Sequence, residues 1–439
     1  MMEIRIPGLI NWSNISETQR ETSLSRPPIP VGDFQQVVGS IISRVRKDGD
    51  AALRELGETY DGVNLEQLEV TPDEWAEAES LVDPLVLQAM DEAISRIRAF
   101  HLAGTPAPVS METAPGLRCE ARYQPISPVG LYVPGGSAPL VSTVIMLGIP
   151  AQIAGCEQVV LCTPPDKQGQ VFPAILAAAA RCGIKRVFKT GGAQAIAAMG
   201  LGTGSIPACA KLFGPGNAWV TEAKQQISAL PGGAARDMPA GPSEVLVIAD
   251  QDADAIAVCW DLLSQAEHGP DSQAIVISDS TQLLDEVGRL LPVMASELPR
   301  AAILRESLRY LRRIRVNSID EALDISNRYA PEHLILNCQK ADQMADKVIA
   351  AGSVFIGPWT PESLGDYCSG TNHVLPTYGY ARAYAGLSVT DFLRRMTLQR
   401  ASNFGLRSVG PCAATLAQAE GLDAHRMAVV YRLNGSGGE

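Results

Sequence analysis

Apolar residues recur at helical spacing early in the chain. Val37, Val38, Ile41, Ile42 and Val45 form one stripe, and Val86, Met90, Ala93 and Ile97 a second, so residues 33–103 are predicted to be helical. From about residue 130 the pattern changes to short apolar runs separated by longer helical segments. Residues 129–133, 159–162, 186–188 and 211–213 read as strands. The stretch after Pro139 and residues near 170–182, 193–199 and 218–228 read as helices. Alternation at this interval predicts an α/β fold with a parallel, doubly wound sheet and right-handed crossovers. Residues 243–249, 274–277, 334–337 and 354–356 continue the strand pattern and suggest a second α/β half. Residues 1 to about 25 are polar and end at Pro27-Pro28-Ile29-Pro30, an expected arm. From about residue 388 the pattern is again helical, with little strand signal.

Composition narrows the function. Of 439 residues, 46% are hydrophobic and 19% charged, enough to bury sizeable cores without disulfides. Lys and Arg number 36 against 48 Asp and Glu, a net charge of −12. A chain this acidic repels a nucleic-acid backbone, although a dinucleotide needs only local donors. No run approaches the roughly 18 apolar residues of a membrane span, and MMEIRIPGLINWSN lacks the form of a secretory signal. Nine scattered cysteines without a CxxC pair suit reduced thiols. A soluble cytoplasmic protein with no nucleic-acid or membrane partner is expected.

Four of only five histidines fall in dense polar clusters, while His101 stands alone and reads as structural. In Ser264-Gln-Ala-Glu-His-Gly-Pro-Asp271, Gln265 and His268 sit at i, i+3 on one helix face, and Gly269-Pro270 ends the helix. An imidazole beside an amide oxygen suits a divalent metal with mixed ligands, and equally a solvated helix end. Tyr329-Ala-Pro-Glu-His-Leu-Ile-Leu336 brings Glu332 and His333 to the mouth of a strand. Strand neighbours point to opposite faces, but a bend at Pro331 would let both face one cavity. Gly365-Asp-Tyr-Cys-Ser-Gly-Thr-Asn-His373 offers Asp366 as a hard ligand and His373 as a second base. Glu420-Gly-Leu-Asp-Ala-His425 lies near the C-terminus. Each cluster, taken singly, fits a polar surface loop as well as a catalytic group.

No Gly-x-Gly-x-x-Gly fingerprint or P-loop occurs. Gly191-Gly192-Ala-Gln194 and Gly214-Pro-Gly216-Asn217 each follow a predicted strand and open a helix. Their backbone N–H groups suit a pyrophosphate, and equally a tight packing turn.

These pieces, in this order, closely resemble the histidinol dehydrogenase family from about residue 30 to 430. Val129-Gly-Leu-Tyr-Val-Pro-Gly-Gly-Ser137, Phe213-Gly-Pro-Gly-Asn217, Asp237-Met-Pro-Ala-Gly-Pro-Ser243, residues 264–271, Pro331-Glu-His333 and Ser369-Gly-Thr-Asn-His-Val-Leu-Pro376 carry the resemblance. It implies a zinc-dependent, NAD-dependent oxidation of L-histidinol to L-histidine through L-histidinal, closing histidine biosynthesis. Gln265, His268, Asp366 and His425 would ligate one Zn2+ per subunit, and Glu332 and His333 would be catalytic. Ser243, His373 and Glu420, with His333 and the four ligands, would hold the substrate. Tyr132, Gln194 and Asn217 would contact NAD. The implied fold has two incompletely Rossmann-like domains in a homodimer with shared sites. Residues 26–129 and 239–387 would form the first domain and 130–238 the NAD domain. Residues 1–25 would be the N-terminal arm and 388–439 a helical tail swapped between subunits. A thiol route would use Cys119 or Cys156, but neither lies beside a histidine, so packing is expected of both. A zinc hydrolase would draw on the same residue types; NADH formation from histidinol separates the two readings.

Overall fold

A computed structural model describes residues 4–28, 33–135, 139–239 and 241–435. Ile29 and Pro30 of the proline-rich lead-in, Gly136 and Ser137, and Ala240 lie outside the described residues.

Two parallel sheets organise the chain. The first runs Arg186–Lys189, Val159–Thr163, Val129–Tyr132, Lys211–Phe213, Ala235–Arg236 in spatial order. Its strands alternate between two cores. Val129, Leu131, Leu161, Val187 and Phe213 face one, whereas Val160, Cys162, Phe188 and Leu212 face the other. The chain winds outward from Val129–Tyr132 in one direction, then returns to build the other side. Strand order therefore reverses between Val129–Tyr132 and Lys211–Phe213, where doubly wound sheets open a crevice at their carboxyl ends.

The second sheet runs Leu9–Asn11, Arg312–Arg315, Gln273–Ser278, Glu244–Ala249, His333–Asn337, Ser353–Ile356, again all parallel. Its reversal lies between Glu244–Ala249 and His333–Asn337. No helix among the described residues is long and apolar enough to cross a membrane.

Three features differ from the expected organisation. The arm is not separate: Leu9–Asn11 forms the edge strand of the second sheet, and Trp12 is buried in its core. Its partner Arg312–Arg315 carries three arginines and one buried residue, Ile314, so periodicity gave no strand signal there.

The helices of residues 33–103 do not join the 239–387 sheet. Asp33–Asp48 and Pro84–Ala103 pack with the first sheet's cores instead. The reason lies in the helices they cover. Val141–Ala154 and Gly192–Leu201 are apolar nearly all round and need cover beyond the sheet itself. The amphipathic N-terminal helices supply it.

The region after 388 is not wholly helical. Leu393–Ala401 pairs antiparallel with Leu117–Pro125, which also pairs with Val109–Ala114. Almost every residue of Leu393–Ala401 is exposed, so no buried face imposed the alternation that marks a strand. Helices Asn403–Ala419 and Asp423–Leu433 follow it.

Candidate active site

The carboxyl end of the first sheet is shaped by glycine. Gly214 has φ +122°, and a Cβ there would lie 2.1 Å from the carbonyl oxygen of Tyr132, so only glycine lets the two central strands end this close. A buried pair fixes the loop: Lys224 Nζ donates to the Gly214 carbonyl (2.8 Å) and to Asp237 Oδ1 (2.5 Å). Asp237 Oδ2 in turn accepts the Gly214 N–H at 2.8 Å. Asn217 caps Ala218–Ser228, its Oδ1 accepting from Trp219 and Val220 N–H. Tyr132 is buried and its hydroxyl accepts from Gly192 N–H at 3.0 Å. Burial pushes its phenol up to about 12, so it stays neutral.

A pocket of about 690 Å3 opens here, lined by Tyr132, Gly135, Lys167, Gly192 and Asn217 among others. Gln194 lies buried in the helix behind it and does not line it. A second cleft of about 430 Å3 shares Pro134, Gly135 and Asn217 with the first, and reaches the other sheet.

There the amino ends of two adjacent strands supply the side chains. Ser243, Glu332 and His333 line the cleft, with His268, Asp366 and His373 beside them. Glu332 Oε2 accepts Glu244 N–H at 2.8 Å, and His333 Nδ1 donates to the Glu244 carbonyl at 3.2 Å. His333 Nδ1 lies 3.6 Å from Glu332 Oε2, and Nε2 lies 3.4 Å from Asp366 Oδ1. The second contact lacks hydrogen-bond alignment, so Nε2 is a buried polar atom without a hydrogen-bond partner. Burial opposes a charged ring, but Glu332, Asp366 and Glu362 outweigh it and raise the His333 pKa well above its usual value. His373 Nδ1 donates to the Asp366 carbonyl at 2.8 Å, and burial lowers its pKa and favours the neutral ring.

Gln265 is fully buried. Its amide is satisfied when the nitrogen donates to Glu362 at 2.9 Å, which turns the oxygen toward His268 Nδ1, about 3.5 Å away. Burial pushes the Glu362 carboxyl up to about 8, and Ser264 Oγ donates to it at 3.1 Å. Burial would also raise Asp366, yet His333, His373 and His268 outweigh it and hold the carboxyl below its ordinary range. An amide oxygen, an imidazole and a carboxylate thus converge, a donor set that suits zinc.

His425 and Glu420 are not among these groups. Both are exposed on the C-terminal segment and line neither cavity of this chain. Among the described residues no group of three or more His, Cys, Asp or Glu gathers as a metal site. His101 is buried behind the cleft, its Nε2 3.4 Å from Asn372 Nδ2. Cys119 and Cys156 line neither cavity, and burial pushes the Cys156 thiol up to about 11. Sequence reasoning did not single out Glu244 or Glu362. Glu244 opens an apolar run and Glu362 follows a proline in a mixed polar stretch, and only burial distinguishes either from a surface acid.

The profile of the family described as histidinol dehydrogenase matches residues 24–433. The chain belongs to the histidinol dehydrogenase family. A histidinol dehydrogenase of Xanthomonas euvesicatoria pv. vesicatoria is 55% identical over 426 residues, covering 97% of this chain and 99% of that one. One from Vibrio vulnificus is 49% identical over 423 residues, covering 96% and 97%. The crystal structure of histidinol dehydrogenase from Elizabethkingia anophelis, 43% identical, superposes with a TM-score of 0.94 over 99% of both chains. Family members of this similarity span the whole length, so both sheets and the C-terminal segment belong to the shared architecture.

Proposed function

We propose that this chain oxidises L-histidinol to L-histidine through L-histidinal, with two NAD as successive hydride acceptors, as the last steps of histidine biosynthesis. The observation that carries the reading is the adjacency of the two cavities: the cleft lined by Glu332, His333 and Asp366 and the pocket at the carboxyl end of the first sheet share Pro134, Gly135 and Asn217 as a common wall.

His333 is the base for the alcohol. With Nδ1–H committed to the Glu244 carbonyl, Nε2 has no hydrogen-bond partner of its own, so in the neutral ring it is the atom that takes the hydroxyl proton as hydride leaves, and Asp366, 3.4 Å away, then faces the charged ring. The aldehyde must then be hydrated, because hydride leaves only from a tetrahedral carbon. Glu332 is suited to activate that water, its second oxygen held by Glu244 N–H. Ser243 and His373 hold substrate at the cleft wall, and Tyr132 and Asn217, which line the neighbouring pocket, serve the dinucleotide, with Gln194 in the helix behind them.

Gln265, His268 and Asp366 would hold one zinc ion per subunit, which when bound supplies a Lewis acid that anchors the substrate's nitrogens. His425 and Glu420 are exposed on their own chain, and they complete the site of a second copy in a homodimer. The primary test is NADH formation from histidinol, lost on chelation and restored by zinc. Full turnover in verified metal-free protein refutes the zinc assignment. Refolding His268→Ala together with His425→Ala tests sharing. Half the randomly paired dimers are mixed, each with one intact site, so roughly a quarter of all sites regain function. No recovery, with mixed dimers verified by mass, means that His425 serves its own chain.

A further inference from the structure

Only two non-glycine residues among those described have a left-handed backbone, Ala330 (φ 56°) and Tyr378 (φ 58°). Such residues persist where their surroundings over-determine them. Both meet the same buried ion pair. Arg26 Nε donates to Glu244 Oε1 at 2.5 Å, and Nη2 to Oε2 at 3.0 Å. The same Nη2 donates to the carbonyls of Tyr329 (2.9 Å) and Ala330 (3.3 Å). Tyr378 N–H donates to Glu244 Oε1 at 2.8 Å. The guanidinium lies 3.9 Å from the centre of the Tyr329 ring.

The residues flanking Arg26 are tied down as well. Gln273 Nε2 donates to the Ser25 carbonyl at 3.1 Å, and the Tyr378 hydroxyl to the Pro27 carbonyl at 2.9 Å. The Arg26 and Glu244 side chains are only 11% and 2% exposed. A carboxylate this buried is tolerated as an ion only with a matched cation, and here the cation comes from the N-terminal segment.

Glu244 is also the residue whose main chain grips the reactive pair. Its N–H holds Glu332 Oε2 and its carbonyl holds His333 Nδ1. Ala330, the second group that Arg26 clamps, begins the turn through Pro331 into those two residues. A shift of the ion pair therefore moves both reactive groups, by the strand on one side and the turn on the other.

We propose that Arg26, acting through Glu244, is a positioning residue for Glu332 and His333, which makes the N-terminal segment part of the catalytic apparatus. This rests on the reading of Glu332 and His333 as the acid–base pair. A clamp that served only the fold would change unfolding and leave turnover per folded molecule alone.

The test measures steady-state histidinol oxidation and unfolding for the full-length wild type and its variants. Arg26→Ala is expected to lower kcat per folded protein about 10²-fold, as a misplacement near 1 Å does. KM for NAD moves less than about threefold, because the first sheet is untouched. Added guanidinium ion restores part of the lost kcat. Arg26→Ala combined with Glu244→Gln is no slower than Arg26→Ala, because the two act in series. Arg328→Ala, which removes only exposed ion pairs to Glu17 and Glu21, keeps the wild-type kcat. Should Arg26→Ala fail to fold, Arg26→Lys carries the test: it keeps the charge, loses the two-pronged contact, and is expected to cost about tenfold in kcat. An unchanged kcat in either folded variant, or multiplicative losses in the double variant, overturns the proposal. A wild-type protein that forms no NADH from histidinol instead refutes the functional reading, and the proposal with it.

Discussion

The two sheets meet the same cleft with opposite ends and opposite chemistry. The first presents its carboxyl end at a strand-order reversal, the usual crevice of a doubly wound sheet, and contributes mostly backbone and glycine. The second presents its amino end, and contributes charge: Glu332 and His333 in the cleft and Glu244 behind them. The supports differ accordingly. The glycine loop is held by Lys224 and Asp237, both local to that sheet, whereas the acidic edge needs Arg26 from 218 residues away. A backbone surface asks only for close approach. A charged edge must also be neutralised, and the chain brings the cation from outside the sheet to do it.

Substitution separates these two designs. The largest effect is expected at the acidic edge. Glu332→Gln is expected to slow oxidation of added histidinal far more than the first hydride transfer, and His333→Asn to impair the first step. Either loss should reach about 10²–10⁴ in rate. Single-turnover NADH formation from each substrate measures both, and equal losses at both steps in both variants would erase the division of labour.

At the backbone edge the expected cost is in stability and cofactor affinity. Gly214→Ala drives a methyl group into the Tyr132 carbonyl and should destabilise by about 1–3 kcal/mol in denaturant titrations. Asn217→Ala removes a helix cap and is expected to cost about 1 kcal/mol, while weakening NAD and sparing histidinol. The reverse pattern of affinities would remove the first sheet as the dinucleotide side.

The smallest effect concerns an acid without an Arg26 of its own. Burial pushes Asp261, on Ala255–Ala266, up to about 7 from an ordinary 3.8. A folded pKa above the unfolded one means stability that is complete below about pH 4 and lost as pH rises through 7. Asp261→Asn should therefore match the wild type near pH 4 and exceed it at pH 8. Urea midpoints at the two pH values check the sign.

Much of this molecule was legible in its sequence. The strands at 129, 159, 244, 273 and 333 are apolar runs because these parallel strands are covered on both faces, and those at 186, 211 and 353 carry shorter apolar runs. Gln265 and His268 share a helix end because their spacing is helical. The motif strings identified the family because order along the chain survives without a structure. Other features carried no such mark. Arg312–Arg315 and Leu393–Ala401 are strands with little buried surface, so alternation was absent where it would have been read. The helices of residues 33–103 show an apolar stripe in sequence, but a stripe does not name the face it covers. Tertiary structure alone decided that they serve the first sheet, and that Leu9–Asn11 serves the second. It also decided the partnership of Arg26 with Glu244. Periodicity reports which side of an element is buried, through forces that act within a few residues. Which distant surface or charge fills that burial is settled only when the whole chain packs.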